Sequence, residues 1–489
     1  MMKLIDREEI IRELDYWRIP GAAIAVFGEG LGAPAEQEFF GFRDVEKGLN
    51  FDENTLFCIA SCSKSMTATL IMALAADGKL DIDRPVIEYV PELEFYGEAG
   101  DKVTLRDMLC HRTGFGAHDV LWPADFDRKE LAKRMKYIEP VDAYGNRALY
   151  SNVVYALAGF VAEKVCEKPW NELMKEYIFE PIGMDRTCCE GEKLVKDGNH
   201  AEPYFVVDGK PQRVSFWNVD QAGPAASINS TVRDMVKWIE FNINEGICED
   251  GHMLMPREYF DELHRPQIEY EDSIPKDCYA CDSYGLGWRL GEYRNHRFQK
   301  HTGKIEGYSS LQMYLPDKKI GLLFMVNLHS PTQSFFFSMA YRILDRALGV
   351  KEENWVERFC KSSHKVGEKA PLSAYNDCNV DIAGKRLRKA EGFIPCNIEY
   401  KEFAGLYKHP GYGNLEVSLE NGSLWLTYRN QKLELRHWGR NSFVMDGVKE
   451  DTLILCVSVV FVTNEHKEVV KVKVSYEPDV GDIVFIKSL

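Results

Sequence analysis

Strand-like segments at the two ends of the first part of this chain constrain its fold more than any other feature. The runs 22–27 and around 39–42 lie near the start, and the runs 309–315 and 320–326 follow much later. Between them, residues 61–300 consist mostly of helix-like segments separated by loops rich in Gly and Pro. This order predicts an α+β unit in which both ends build one sheet, with a helical insertion between them.

Short strands with alternating apolar residues dominate the chain after residue 400. Alternation occupies 415–419 and 424–428, and Asn421-Gly422 between them is a strong hairpin signal. About eight such strands before the C-terminus predict a small antiparallel β-barrel. With 489 residues, the chain is expected to have three parts. These are a main domain at 1–350, a charged and polar linker or strap at 351–398, and the barrel at 399–489.

Composition excludes several classes of function. The formal net charge of −16 repels phosphate backbones, so we expect no nucleic-acid partner. No segment approaches the ~18 apolar residues that a membrane-spanning helix needs, so we expect no membrane partner. The charged residues near the start leave no apolar core for a secretory signal. The thirteen cysteines are therefore expected to be reduced thiols of a cytoplasmic protein.

Metal and cofactor sites are not indicated by the cysteine and histidine spacing. Cys278-x-x-Cys281 is a single pair, without a second Cys pair or a suitably spaced His pair, which argues against a closed zinc site. Ordinary loop cysteines are favoured over redox or metal chemistry. We therefore expect no metal ion and no organic cofactor.

Ser61 and Lys64 lie one helical turn apart at the start of an apolar segment with helical spacing, which ends at Asp77-Gly78. Because residues i and i+3 share a helix face, the Lys64 amine can lie beside the Ser61 hydroxyl and make it nucleophilic. The Ser61 N–H, near a helix N-terminus, is suited to stabilise an oxyanion. Ser362-Ser363-His364-Lys365 has the same spacing, but no apolar helix follows it.

Two further motifs supply what a serine–lysine hydrolase needs. Tyr150-Ser151-Asn152 directly precedes a helix-like run, so Tyr150 can shuttle a proton at a helix mouth and Asn152 can contact both substrate and Lys64. His301-Thr302-Gly303 directly precedes the late strands, where the glycine lets substrate lie against a strand edge. The N–H of Lys304 is a candidate second oxyanion donor. The same short patterns recur elsewhere, but only this set combines the right order with the right contexts.

Together, the three motifs resemble those of the serine β-lactamase-like hydrolases, which include class C β-lactamases, penicillin-binding carboxypeptidases, D-aminopeptidases and related esterases. The resemblance covers residues 5–350 and implies an antiparallel sheet flanked by helices, with a helical insertion. From residue 403 onwards the tail resembles the lipocalin-like barrel that some members append. Further similar segments are Pro20-Gly21-Ala22-Ala23, Leu109-Cys110-His111-Arg112-Thr113-Gly114, Gly223-Pro224-Ala225-Ala226-Ser227 and Tyr284-Gly285-Leu286-Gly287-Trp288.

The resemblance implies catalytic roles for three residues. Ser61 would be the acylated nucleophile, Lys64 the base for acylation, and Tyr150 a proton relay that also activates the deacylating water. His111, which lies in one of the similar segments, is interpreted as structural.

Five residues are implied to bind substrate. Asn152 would orient it, and Gly303 and Lys304 would line its path along the strand edge. Trp288 either lines the acyl pocket or belongs to the core. His301 stands where penicillin-recognising members usually have a lysine, and a mostly neutral histidine provides no fixed charge for a substrate carboxylate.

The expected function is that of a serine hydrolase that forms an acyl-enzyme with a small ester, amide or short peptide. A D-amino-acid-specific peptidase and a weak β-lactamase are alternatives within this class. A non-catalytic binding protein on the same fold is the alternative from another class. The expected partner is a small-molecule substrate, and homo-oligomerisation is left open.

Overall fold

The computed structural model describes residues 3–31, 35–122, 127–270, 279–329, 332–360, 367–371, 395–429, 431–449, 452–477 and 480–488. Two features from the sequence, Cys278 and the second Ser-x-x-Lys segment at 362–365, lie outside the described residues.

Helices are the main regular elements of the insertion, and helices cover both faces of the main sheet. The α-helices in the described residues are α1 (Arg7–Tyr16), α2 (Ser63–Ala76), α3 (Leu105–Leu109), α4 (Arg128–Arg134), α5 (Asn152–Cys166), α6 (Trp170–Met174), α7 (Glu180–Ile182), α8 (Gly191–Lys196), α9 (Gly223–Ala226), α10 (Val232–Ile243), α11 (Arg257–Leu263), α12 (Thr332–Ala347) and α13 (Trp355–Cys360).

The strands fall into two groups. Those of the first group are β1 (Gly21–Phe27), β2 (Glu36–Asp44), β3 (Leu49–Asn50), β4 (Phe57–Cys58), β5 (Tyr204–Val207), β6 (Lys210–Arg213), β7 (Asn229–Ser230), β8 (Ile268–Glu269), β9 (Tyr279–Tyr284), β10 (Arg289–Tyr293), β11 (His296–Ile305), β12 (Tyr308–Leu315) and β13 (Ile320–Val326). Those of the second group are β14 (Gly405–His409), β15 (Gly413–Glu420), β16 (Ser423–Tyr428), β17 (Gln431–Gly439), β18 (Ser442–Lys449), β19 (Thr452–Thr463), β20 (Val469–Glu477) and β21 (Gly481–Lys487).

One antiparallel sheet unites the two ends of the main part of the chain. Within the described residues it has nine strands, in the order β3-β2-β1-β13-β12-β11-β10-β9-β8. Strand β1 pairs with β13, with Ala22 opposite Val326. The predicted α+β architecture, with a sheet built from both ends and a helical insertion, is therefore confirmed.

The central strands are buried on both faces. In β1, Ala23 and Ala25 belong to the hydrophobic core on the side of α2 and α10, and Ile24 and Val26 belong to the core on the side of α1 and α12. A strand covered on both faces needs no polar face. This explains why β1 appears in the sequence as an uninterrupted apolar run.

The two late strands lie where the sequence predicts them, as β12 and β13, but the strands β8 to β11 before them were not predicted. Residues up to 300 were predicted mostly as helices and His301-Thr302-Gly303 as lying just before the strands, whereas β11 contains all three residues. The cause lies in β11 itself, where Lys300 and His301 are fully buried. Buried polar residues break the apolar alternation from which a strand is predicted.

Buried polar contacts fasten α2 to the sheet. Gln312 of β12 donates from Nε2 to Ser65 Oγ at 2.8 Å, and Trp238 of α10 donates from Nε1 to Gln312 Oε1 at 3.0 Å. Leaving one of these buried groups unpaired would cost ~1–3 kcal/mol. The first turn of α2, which carries Lys64, is therefore fixed relative to β12.

The C-terminal strands close into an eight-stranded antiparallel barrel in which β14 pairs with β21. Aromatic side chains fill it, with ring centroids of Phe403 and Phe461 4.6 Å apart. The turn residues Asn421 and Gly422 both have positive φ, 51° and 87°, as the tightest hairpins require. The predicted barrel is confirmed.

The segment after the main domain begins as part of the hydrophobic core. Trp355 and Val356 of α13 are buried, and Trp355 Nε1 donates to Asp345 Oδ2 of α12 at 2.7 Å. Residues 361–366 and 372–394 lie outside the described ranges. The division at 1–350, 351–398 and 399–489 remains a prediction.

Candidate active site

Ser61 lies on a turn with an unusual backbone conformation. The 3₁₀ turn Ala60–Cys62 leads into α2, and Ala60 has a φ of 48°. A non-glycine residue in this left-handed region costs ~1–3 kcal/mol, which the surrounding packing has to hold. Here Ala60 is fully buried, and Ile59 O accepts from Ser310 Oγ of β12 at 2.8 Å. The sheet thus holds the Ser61 backbone in place.

Lys64 is fully buried beside Ser61. Its Nζ lies 3.1 Å from Ser61 Oγ and donates to Asn152 Oδ1 at 2.7 Å and to Ala225 O at 3.0 Å. Burial lowers the pKa of the Lys64 amine well below its usual range, and the Asp119 carboxylate partly opposes that shift. A neutral amine at this distance can take the Ser61 proton.

Asn152 connects Lys64 to a carboxylate that the sequence analysis did not single out. The Ser151 side chain caps α5 by accepting from Val154 N at 3.3 Å, and this fixes Asn152 at the first helical position. Asn152 Nδ2 then donates to Asp119 Oδ1 at 2.8 Å. Burial raises the pKa of Asp119, whereas the Asn152 hydrogen bond and the Lys64 charge lower it.

Tyr150 is adjacent to both Ser61 and Lys64. Lys64 Nζ lies 4.7 Å from the centre of the Tyr150 ring. Burial raises the pKa of the Tyr150 phenol, and its hydrogen bond with Ser61 opposes that shift, so the phenol is protonated at neutral pH. His111, interpreted from the sequence as structural, packs with its ring centroid 4.4 Å from that of Tyr150. Its Nδ1 accepts from Ser151 N at 3.2 Å, which orients the Tyr150-Ser151-Asn152 segment.

His301 is fully buried in β11, and its hydrogen bonds fix its tautomer. Nδ1 lies 2.7 Å from Thr302 O, which can only accept, so Nδ1 carries the proton. Nε2 therefore accepts from Tyr284 Oη at 2.9 Å. Burial and the Arg289 and Lys64 charges lower the pKa of His301 well below its usual value. The imidazole is neutral, and its ring centroid lies 6.2 Å from that of Tyr150.

Gly303 lies where β11 approaches the turn that carries Ser61. A Cβ atom at this position would be 2.1 Å from Ile59 O and 2.4 Å from Ser310 Oγ. The close neighbour is the protein backbone, so only glycine fits without moving the strand. The sequence analysis gave a different reason, space for substrate along the strand edge, and that remains a prediction.

Lys304 and Glu306, which can carry opposite charges, lie at and directly after the C-terminal end of β11. The Lys304 side chain is solvent-exposed, yet the protein around it lowers the pKa of its amine. Burial raises the pKa of Glu306 to about 7, with Asp119 adding to the rise and Lys304 opposing it. Glu306 therefore lies close enough to Asp119 and Lys304 for both charges to shift its pKa. Nothing in the sequence singled out Glu306.

Trp288 packs in the hydrophobic core. Its ring lies parallel to that of Trp238, with centroids 6.3 Å apart, and edge-on to that of Tyr314 at 5.4 Å. It is fully buried. Of the two alternatives given for Trp288, these contacts are those of a core residue.

The structure thus brings Ser61, Lys64, Tyr150 and Asn152 together, with His301 and Gly303 on the adjoining strand. Asp119, His111, Tyr284 and Arg289 contact these residues or shift their pKa values, and the sequence predicted no functional role for them. In the described part of the chain, no cluster of His, Cys, Asp and Glu is suited to hold a metal ion. No helix in that part is both long and apolar enough to cross a membrane.

The fold and the motifs define a hydrolase of the serine β-lactamase-like class. Residues 8–347 match the family model described as Beta-lactamase, and residues 396–486 match one described as Domain of unknown function (DUF3471). Because the first match spans most of the chain, the protein belongs to the Beta-lactamase family.

The chain is similar to proteins that are named for several different activities. The Unguisins hydrolase ungD of Aspergillus violaceofuscus (strain CBS 115571) is 24% identical over 436 residues, covering 84% of this chain and 76% of the relative. The octameric penicillin-binding protein homologue from Pyrococcus abyssi superposes with a TM-score of 0.61 at 20% identity, covering 98% of this chain and 100% of the other. The D-stereospecific amidohydrolase from Streptomyces sp. superposes with a TM-score of 0.57 at 21% identity, covering 73% of this chain and 98% of the amidohydrolase.

Proposed function

We propose that this protein hydrolyses small esters, amides or short peptides through an acyl-enzyme on Ser61. The observation that carries the proposal is the 3.1 Å contact between Lys64 Nζ and Ser61 Oγ, in surroundings that favour the neutral amine. Tyr150 is the proposed proton relay, and Asn152 is proposed to orient both Lys64 and the substrate.

Acylation begins when Lys64 Nζ takes the proton of Ser61 Oγ. Oγ then forms a bond to the substrate carbonyl carbon, and the displaced electron pair stays on the carbonyl oxygen. The backbone N–H groups of Ser61 and Lys304 are the proposed donors to this oxyanion, each worth ~10²–10³ in rate. When the intermediate collapses, the bond to the leaving group breaks, and the proton passes from Lys64 through Tyr150 to that group.

Deacylation uses the same groups in reverse. Water attacks the acyl carbon and gives its proton to Lys64 through Tyr150. The bond to Ser61 Oγ then breaks, and Oγ takes back the proton from Lys64, which leaves Lys64 neutral again. Because the phenol of Tyr150 is protonated at neutral pH, it relays a proton by accepting one while donating another. General acid–base assistance of this kind is worth ~10²–10⁴ in rate.

The neutral His301 favours ester and amide substrates over β-lactams with a carboxylate. A lysine at this position would provide a permanent positive charge, whereas His301 gives none at neutral pH. A D-amino-acid-specific peptidase is the second candidate, since one structural neighbour is a D-stereospecific amidohydrolase. Weak β-lactamase activity is the third. The octameric neighbour supports testing for a homo-oligomer.

One substrate screen tests the proposal and separates these candidates. The wild type, Ser61→Ala and the control Ser475→Ala are assayed on p-nitrophenyl esters, nitrocefin and D-amino-acid amides. Ser475 is a half-buried barrel residue whose Oγ donates to Asp482 Oδ1 of the same barrel at 2.7 Å, so its replacement should leave turnover unchanged. Turnover that disappears only in Ser61→Ala supports the proposal. Equal turnover in Ser61→Ala and the wild type would contradict it.

A further inference from the structure

The turn that carries Asp119 is held by the C-terminal barrel. His118 precedes Asp119, is fully buried and has a left-handed φ of 48°. A hydrogen bond of 2.7 Å joins His118 Nδ1 to Oη of Tyr412, which lies in the turn between β14 and β15. Burial lowers the pKa of His118 to about 4, so the imidazole is neutral at physiological pH and the contact is one between neutral groups.

The barrel turn sits closely against the main domain. A Cβ atom at Gly411 would lie 2.3 Å from Ile138 Cδ1, and Arg134 Nη1 donates to Gly411 O at 3.3 Å. A second barrel residue, Val480, lies 3.6 Å from the position of a Cβ at Gly116. The packed interface between the barrel turn and the main domain therefore holds the Tyr412 hydroxyl next to His118.

From Tyr412, direct contacts lead to the proposed nucleophile. His118 is followed by Asp119, whose Oδ1 accepts from Asn152 Nδ2 at 2.8 Å. Asn152 Oδ1 accepts from Lys64 Nζ at 2.7 Å, and the same Nζ contacts Ser61 Oγ at 3.1 Å. Each link is a hydrogen bond or a peptide bond. A displacement of the barrel turn is therefore transmitted to Asp119 through His118, and from Asp119 to Lys64 through Asn152.

We propose that Tyr412 is a positioning residue through which the barrel sets Asp119, and thereby Asn152 and Lys64, for catalysis. The proposal rests on the proposed function for the role of Lys64, but the contact itself does not depend on it. Tyr412 acts through His118 and does not touch the reacting atoms.

The electrostatics give this role a signature that a merely structural contact lacks. The Asp119 charge raises the pKa of Lys64 against the effect of burial. If the turn loosens and Asp119 moves away, the pKa of Lys64 falls further, and the acidic limb of kcat/KM moves to lower pH. The other titratable or charged groups around Lys64 are Cys62, His111, Tyr150, Tyr155, Arg289 and His301.

Tyr412→Phe is the primary test, with Tyr407→Phe as the matched control. Tyr407 is also a buried barrel tyrosine, but its Oη donates to Phe403 O at 2.7 Å, inside the barrel. We expect Tyr412→Phe to lower kcat about 3- to 10-fold, as the loss of one neutral hydrogen bond permits, with KM little changed. The acidic limb of its pH profile should move to lower pH, whereas Tyr407→Phe should keep the wild-type limb.

Two further variants keep the test decisive if Tyr412→Phe does not fold. His118→Asn keeps a residue that tolerates the left-handed backbone but is too short to reach Tyr412, and it should have the same kinetic signature. Asp119→Asn removes the charge directly and should move the limb in the same direction. Adding Tyr412→Phe to Asp119→Asn should then move it no further. An additive second shift would overturn the proposal.

Hydrogen exchange of peptides covering 117–122 gives a readout that does not need turnover. We expect faster exchange in Tyr412→Phe and His118→Asn than in the wild type and Tyr407→Phe. Identical exchange and identical pH profiles in Tyr412→Phe and Tyr407→Phe would overturn the proposal. If the wild type turns over no substrate, the proposed function fails, and the exchange result alone decides whether Tyr412 fixes the turn.

Discussion

Replacing Gly303 by alanine tests whether β11 must lie against the turn that carries Ser61. The added Cβ would be 2.1 Å from Ile59 O, whereas real Cβ contacts essentially never fall below 3.0 Å, so the strand or the turn has to move by about 0.9 Å. The nearest atom is a backbone oxygen, which cannot rotate away. Forcing such a shift in a packed interior costs ~1–3 kcal/mol of stability.

The expected loss of activity is larger than the loss of stability suggests. A displacement of ~1 Å among reacting groups can cost ~10²-fold in rate. We therefore expect kcat/KM of Gly303→Ala to fall about 100-fold on the best ester or amide substrate, with the fold retained. Kinetics on the purified variant, together with thermal unfolding, measure both effects.

Gly198→Ala is the control, because among the described residues no atom outside its chain neighbours lies within 4 Å of its added Cβ. It should keep wild-type activity and stability. If Gly303→Ala keeps kcat/KM within threefold of the wild type with unchanged thermal stability, the close approach of β11 to Ile59 is not required, and the reasoning fails.

Three other predictions concern the base, the relay and the core. Lys64→Met should lower kcat/KM by ~10²–10⁴, and the wild-type rate should rise with pH to a plateau well below pH 10.5, since only the neutral amine is active; a limb near pH 10.5 would contradict this. Tyr150→Phe should slow turnover by ~10²-fold or more while Ser61 is still acylated, as stopped-flow burst kinetics would detect. Asp345→Ala should lower the free energy of unfolding in urea by ~3–5 kcal/mol, because this fully buried carboxylate forms an ion pair with Arg294, whose Nε lies 3.0 Å from Oδ1, and also accepts from Tyr293 Oη at 2.6 Å and Trp355 Nε1 at 2.7 Å. A loss of less than 1 kcal/mol in the free energy of unfolding would show that the buried contacts of Asp345 do not stabilise the fold.

Local spacing in the sequence was enough to predict part of the site. Ser61 and Lys64 meet because positions i and i+3 share a helix face, whatever the rest of the chain does. Asn152 could be placed at a helix start because Ser151 is a good cap. The barrel was predictable for the same kind of reason, since alternation and the Asn421-Gly422 turn are local signals.

The rest of the site depends on contacts between distant segments. Asp119 lies 33 positions from Asn152 and follows no recognisable motif, so only the folded chain shows their contact. His301 and Tyr284 are likewise joined across two strands that the sequence analysis did not recognise. Gly303 was predicted to leave space for substrate, which stays a prediction, and its close approach to the Ile59 backbone, 244 positions earlier, could not be predicted from local spacing.

The contact between His118 and Tyr412 joins the two matched regions of the chain. Residues 8–347 and 396–486 match separate family models, and this hydrogen bond spans 294 positions between them. Neither region alone contains both partners. Through this contact with the segment that carries Asp119, the barrel is connected to the proposed active site.

Intact-mass spectrometry with peptide mapping tests the central claim most directly. The wild type is mixed with a fluorophosphonate probe or with a slow ester substrate, quenched within seconds and digested. We predict one covalent adduct, located on Ser61, that is absent from Ser61→Ala and forms much more slowly in Lys64→Met. An adduct on another residue, or none with esters, amides and β-lactams alike, would contradict the claim that Lys64 activates Ser61.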